Sequence, residues 1–168
     1  MKIKLDLFVK NYNGGPKIRI YANEKVIHQT RITKSGKQVV ECDTELTFPV
    51  QLVIEHYDKH MNEDTKVIDG EIVDDKGFKL EKVHIDDCVL ENELNLFDFI
   101  ENNGHKDISH KENPYIGFNG KFYINIDSDS LLDWYFKLQK KFINQQEDFD
   151  YDSFKDEILQ GQNCEVHY

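Results

Sequence analysis

Short runs of alternating apolar and polar residues, each closed by turn chemistry, fill the first half of the chain. "KIKLDLFV" places Ile3, Leu5, Leu7 and Val9 on one face of a strand. "NGGP" at Asn13–Pro16 supplies a turn, because Gly reaches positive φ without a steric cost and Pro presets the exit. "KIRIYA" and "VIHQTRIT" flank the break at Asn23–Lys25, so Lys17–Thr33 is expected as a hairpin. "KSGK" at Lys34–Lys37 turns the chain again before "QVVEC". "FPVQLVIEHY" is the most apolar run, with Pro49 at its start, where no ladder hydrogen bond is lost. "TKVID", "GEIVD", "FKLEKVHI" and "DCVLE" follow as short strands with charged breaks. Strands of this length and spacing point to an antiparallel sandwich or barrel.

Further on the pattern changes. Asn92–Pro114 is a polar connection with an apolar patch at Leu94, Leu96, Phe97, Phe99 and Ile100, whose spacing decides neither helix nor strand. "YIGFNGKFYINI" holds the strongest local signal. Asn119-Gly120 suits a type I′ turn between two apolar-aromatic runs, so Tyr115–Ile126 is expected as a hairpin. In "DSDSLLDWYFKLQKKFINQQ", Ser128 or Asp129 can cap a helix and Asp133 suits its positive end. Leu131, Leu132, Tyr135, Leu138, Phe142 and Ile143 recur at helical spacing, so this helix should pack on the sheet. Glu147–Tyr168 alternates acids with Phe149, Tyr151, Phe154, Ile158 and Leu159, the composition of a tail that docks on a partner subunit. The expected organisation is a sandwich over 1–94, a polar connection over 95–113, a hairpin and helix over 114–145, and an acidic-aromatic tail over 146–168.

Charge narrows the partners. A formal net charge of -11 argues against duplex nucleic acid and anionic membranes, both bound through clustered Lys and Arg. A neutral sugar, a divalent cation or a neutral-to-basic protein suits it better. At 168 residues and 39% hydrophobic, the chain can bury one real core. Cys42, Cys88 and Cys164 stand far apart without CxxC or CxxH spacing, so they read as buried thiols in a reducing compartment. The N-terminus reads as a first strand rather than a signal peptide. No run approaches the roughly 20 apolar residues of a membrane helix.

The stretch densest in chemistry-bearing side chains is "HYDKHMNEDTKVIDGEIVDDKG", His56–Gly77. Read as an EF-hand loop from Asp58, it has Glu63 where the turn glycine belongs and Asp69 where the bidentate Glu belongs. His56 and His60 are four apart, but Tyr57-Asp58-Lys59 intervenes without the HExxH glutamate, and "VQLVIE" before them favours a strand. What remains is a calcium candidate built from the loop carboxylates Asp58, Asp64 and Asp69 with Glu63, or else a solvated rim between strands. With 32 acidic residues, a glycosidase-like pair of carboxylates arises in any fold and identifies nothing. Neither GxSxG nor GxxxxGK[ST] occurs. His84 is expected at an edge or surface. For stacking on a sugar, the candidates are Tyr12, between Asn11 and Asn13 in a loop, and Tyr57; Tyr115 is a further possibility, and Trp134 reads as core.

"PKIRIYANEKVIHQTRI", then "VQLVIEHYDKHMNEDTKVIDGEIVDDKGFKLEKVHIDDCVL", resembles small β-sandwich modules of carbohydrate-binding and C2-like type, which recur in proteins of tailed phages. The resemblance covers roughly Met1–Leu94 and lies in the order of strands and turns. It implies a binding module. In calcium-dependent sandwiches of this kind, loop aspartates at one end hold the ion; Asp58, Asp64 and Asp69 would be the matching acids. The expected protein is a mainly antiparallel, jelly-roll-like β-sandwich without enzymatic activity. Its expected role is structural or binding, in a phage particle, touching another protein or a surface glycan. A soluble calcium- or carbohydrate-binding module is the alternative, and a small hydrolase the third. The expected location is a virion or the cytoplasm.

Overall fold

The computed structural model describes residues 1–104, 106–107 and 115–145. Among these residues, two antiparallel sheets of six strands face each other across one core. In the first, β1 (Lys2–Asn11) lies between β4 (Gly36–Asp43) and β7 (Glu71–Ile85). Strands β6 (Thr65–Ile68), β8 (Cys88–Leu90) and β11 (Tyr115–Ile116) also pair with β7. The second sheet runs β10 (Lys106–Asp107), β9 (Asp98–Glu101), β12 (Gly120–Ile126), β5 (Val50–Tyr57), β2 (Lys17–Ala22), β3 (Lys25–Arg31). Alternation sorts the faces. Ile3, Leu5, Leu7 and Val9 of β1 point inward to meet Ile18, Ile20, Leu52, Ile54, Phe122 and Ile124 from the opposite sheet.

The hairpin expected at Lys17–Thr33 forms, with Asn23 and Glu24 both at positive φ in a two-residue turn. "GEIVD" and "FKLEKVHI" join into one strand of 15 residues, β7. Its first residues pair with β6 around Asp69-Gly70 and project as a ribbon on which Val67, Ile68, Ile72 and Val73 are exposed. The undecided patch splits into a 3₁₀ turn at Asn92–Leu96 and strand β9.

The hairpin expected at Tyr115–Ile126 does not form. Tyr115 and Ile116 pair with β7 in the first sheet, while Gly120–Ile126 pairs with β5 and β9 in the second. Asn119 therefore sits in a crossover between sheets. It lacks the positive φ of a type I′ turn, and its amide is committed elsewhere: Oδ1 accepts from the Lys59 N–H at 2.9 Å and Nδ2 donates to the Lys59 carbonyl at 2.8 Å. Gly120 is required for a different reason, since a Cβ there would lie 2.6 Å from the Ile100 carbonyl. The second sheet thus draws strands from beyond residue 94.

Helix α2 (Leu131–Gln145) bridges the sheets. Its cap is Ser130, rather than Ser128 or Asp129: Ser130 Oγ accepts from the Asp133 N–H at 3.3 Å. Trp134 and Leu138 are buried, with Trp134 6.4 Å from Phe97, and the Tyr135 hydroxyl donates to the Val89 carbonyl at 3.0 Å. Leu132, expected in the packed stripe, is exposed, as is Phe136. Among the described residues no helix is long and apolar enough to cross a membrane. The docking tail, with Phe149, Tyr151, Phe154, Ile158 and Leu159, lies outside the described residues, as does Cys164.

Candidate functional site

The acid-rich stretch after β5 turns into a polar seam between the sheets. Lys59 reaches inward to Asp75 at 2.5 Å and to the Gly117 carbonyl. Asp75 also accepts from Thr65 Oγ1 and the Tyr115 hydroxyl, each at 2.8 Å. Burial, and then this carboxylate, raise the Tyr115 hydroxyl pKa well above its ordinary value. Asp64 closes a one-turn helix, α1 (Met61–Asp64), and reaches back to the His60 N–H at 2.8 Å. It also meets Lys76 at 2.7 Å and Asn13 Nδ2 at 3.0 Å. Burial alone would raise the Asp64 pKa; these donors outweigh it and hold the group below its usual range. His56 is wholly buried edge-on against Phe78, with Nδ1 3.1 Å from the Phe118 carbonyl. Burial and the nearby Lys59 lower its pKa to about 4, so it is neutral at physiological pH.

Each acid of the calcium candidate has its own surroundings. Asp58 is engaged by Lys17 and held low by that bond, Asp64 by Lys76, and Asp69 sits in the exposed ribbon turn. Their oxygens do not converge. Among the described residues no group of three or more His, Cys, Asp or Glu side chains is placed to hold a metal ion. The loop candidates for sugar stacking lie beside this seam. Asn13 is tied to Asp64, and Asn11 Nδ2 donates to the Thr33 carbonyl while its Oδ1 is buried without a hydrogen-bond partner among the described residues. Tyr12 is half-buried, and its backbone N–H donates to the Asp75 backbone carbonyl. Tyr57 keeps a place on an open face, but the Arg19 guanidinium covers its ring at 3.7 Å. His84 lies on the outer face of the first sheet, 2.8 Å from Asp6.

That open face is the outer side of the second sheet. The alternation that buries Ile20, Ile54 and Phe122 turns Arg19, Tyr21, Val53, Glu55, Lys121 and Tyr123 outward. Register lines them up. Tyr21 is opposite Val53, and Val53 opposite Tyr123, so two tyrosines stand two strand spacings apart, roughly 10 Å, across an apolar floor. The next row is Arg19, Glu55, Lys121. Glu55, 7% exposed, accepts from the Tyr21 hydroxyl at 2.5 Å and lies 3.5 Å from Arg19. Burial and then Glu55 raise the Tyr21 pKa, which keeps its hydroxyl protonated. On the other side of the tyrosine row, Gln51 Nε2 donates to Asn125 Oδ1 at 2.7 Å. The Lys121 ammonium stands 5.4 Å over the Tyr21 ring. Tyr21, Glu24, Gln51, Val53, Lys121 and Tyr123 enclose a cleft of about 330 Å³. Sequence reasoning passed over Tyr21 and Tyr123. Their signal was period-two alternation, but it needs the pairing of β2, β5 and β12 before it brings them together.

No known family matches the sequence, and no curated protein matches it. Two solved structures of the carbohydrate-binding module vCBM60 are similar in fold. One, in complex with galactobiose, is 13% identical with a TM-score of 0.49 over 74% of this chain and 98% of that one. The other is a selenomethionine form described with two families of calcium-dependent carbohydrate binding modules linked by circular permutation. It is 11% identical with a TM-score of 0.50 over 74% of this chain and 89% of that one. At such identity the likeness is one of architecture: the chain has a β-sandwich fold similar to that of vCBM60.

Proposed function

We propose that the chain is a non-catalytic module that binds a glycan on the outer face of its second sheet. The observation that carries this reading is the Tyr21–Val53–Tyr123 row in a polar-rimmed cleft. Flat rings take the apolar side of a sugar, and Gln51, Asn125 and Lys121 offer hydrogen bonds to its hydroxyls. Glu55, the buried carboxylate behind the cleft, is committed to Tyr21 and Arg19, so it serves as a scaffold rather than as an acid or base. The sandwich fold shared with vCBM60 supports the same reading. Calorimetry with neutral oligosaccharides tests it. Tyr123→Ala should weaken binding by about fivefold, the worth of one ring stack. Titrations with calcium and with a chelator belong beside it, because the similar module is calcium-dependent. Binding unchanged in Tyr123→Ala, or absent with every oligosaccharide, overturns the proposal.

A second reading, a structural subunit that packs on another protein as in a phage particle, is favoured by exposed apolar side chains. These are Val67, Ile68, Ile72 and Val73 on the ribbon and Leu132 and Phe136 on α2. Stoichiometric presence of the chain in purified particles, with those residues protected from labelling, is its test.

A further inference from the structure

The outer face of the first sheet differs in charge from the rest of this acidic chain. Register sets one row straight across four strands: Tyr115 of β11, Lys79 of β7, Phe8 of β1 and Lys37 of β4. Aromatic and ammonium side chains alternate at the spacing of neighbouring strands, about 4.8 Å. Lys10 lies two residues beyond Phe8 on the same face, with its ammonium 5.3 Å from the Tyr115 ring centre. Phe8 is 43% exposed in the middle of the group.

The lysines of this row lack what the other lysines of the face have. Lys2 pairs with Glu41 at 2.9 Å, Lys4 with Asp6 at 3.1 Å, and Lys82 with Glu91 at 2.9 Å. Among the described residues, Lys10, Lys37 and Lys79 form no ion pair with an acid, although the chain carries 32 acidic residues. Three like charges around one exposed ring repel each other until an anion arrives. The ring between them favours an anion attached to a flat apolar surface.

We propose that this row binds an anionic glycan, with the sugar face stacked on Phe8 and its acid groups seated on Lys37, Lys79 and Lys10. Carboxylate and sulfate satisfy the same ammonium groups, so a uronic-acid chain and a sulfated chain share the required chemistry. Nucleic acid fits less well. Its charges fall every ~1.7 Å along a duplex, and a chain of net charge -11 opposes that density more than one charge per sugar. This row lies on the sheet opposite the tyrosine cleft and does not depend on what the cleft binds.

Calorimetry of the full chain decides it, with a galacturonic-acid trisaccharide, a heparin-derived tetrasaccharide, a galactose trisaccharide and a short single-stranded DNA. Binding of either acidic sugar at low salt, weakened by added salt and stronger than binding of the neutral sugar, is the expected result. Whichever acidic sugar binds identifies the acid group. Lys37→Gln and Lys79→Gln should each weaken binding about threefold at low salt. Phe8→Ala should weaken it about fivefold. Tyr123→Ala, in the other sheet, should leave it unchanged, which separates this site from the cleft. Failure of both acidic sugars, equal binding of the DNA, or no change in the Phe8 and lysine variants overturns the proposal.

Discussion

Lys59 Nζ and the Asp75 carboxylate meet at 2.5 Å with their side chains only 1% and 5% exposed. They join the loop after β5 to the point where β7 leaves its ribbon and enters the sandwich. Removing one partner strands a charge in low dielectric. Lys59→Met should cost about 3–5 kcal/mol of stability in urea unfolding. Asp75→Asn added to that variant should recover much of the loss, because the amide carries no charge, its Oδ1 still accepts from Thr65 Oγ1, and its Nδ2 can donate to the Tyr115 hydroxyl oxygen. A near-neutral Lys59→Met would contradict an ionised pair.

His56 makes stability depend on pH. Its folded pKa, lowered to about 4 first by burial and then by Lys59, lies below the ordinary 6.5 of an unfolded histidine. Between those values the unfolded chain binds the additional proton, so stability falls as pH drops from 6.5 towards 4. The total is about 3 kcal/mol. Asp64 acts lower down, because its pKa is held below the carboxylate value of 3.8. Its contribution is full above that value and is lost as pH falls through its folded pKa. Urea midpoints measured across this range should slope downward on acidification, and His56→Leu should flatten the slope between pH 6.5 and 4.

Gly15 and Gly14 offer a matched comparison. Both have positive φ, but a Cβ on Gly15 would fall 1.9 Å from the Ile32 carbonyl, whereas one on Gly14 meets open space. Gly14→Ala should cost about 1 kcal/mol for the left-handed backbone alone. Gly15→Ala adds a clash with backbone and should cost at least about 3 kcal/mol. Thermal melts of the two variants separate backbone preference from close approach. Equal melting temperatures would show that the contact at Gly15 relaxes.

What the sequence made legible was local. The alternation of Ile3, Leu5, Leu7 and Val9 names both the strand and its buried face. Asn23-Glu24 sits in the hairpin turn that its flanking strands demand. Asn119-Gly120 misled because the same local chemistry was outweighed by an amide committed to the Lys59 backbone, 60 residues away in sequence. A sequence displays Asp58 and Asp64 as candidate cation ligands without saying that Lys17 and Lys76 will fold against them. Tyr21 and Tyr123 meet only across β5, and Phe8 gains Lys37 and Lys79 from β4 and β7, so long-range register decides both candidate surfaces.

The ribbon of β6 and the start of β7 has a practical consequence. Four β-branched apolar side chains stand outside the sandwich on a two-stranded arm, and among the described residues β6 pairs only with β7. An open strand edge of that composition recruits other strands without any unfolding. The limit on concentration in storage is then set by collisions of intact molecules rather than by thermal denaturation. A lysine in place of Val67 or Ile72 would raise that limit and leave the melting temperature where it was.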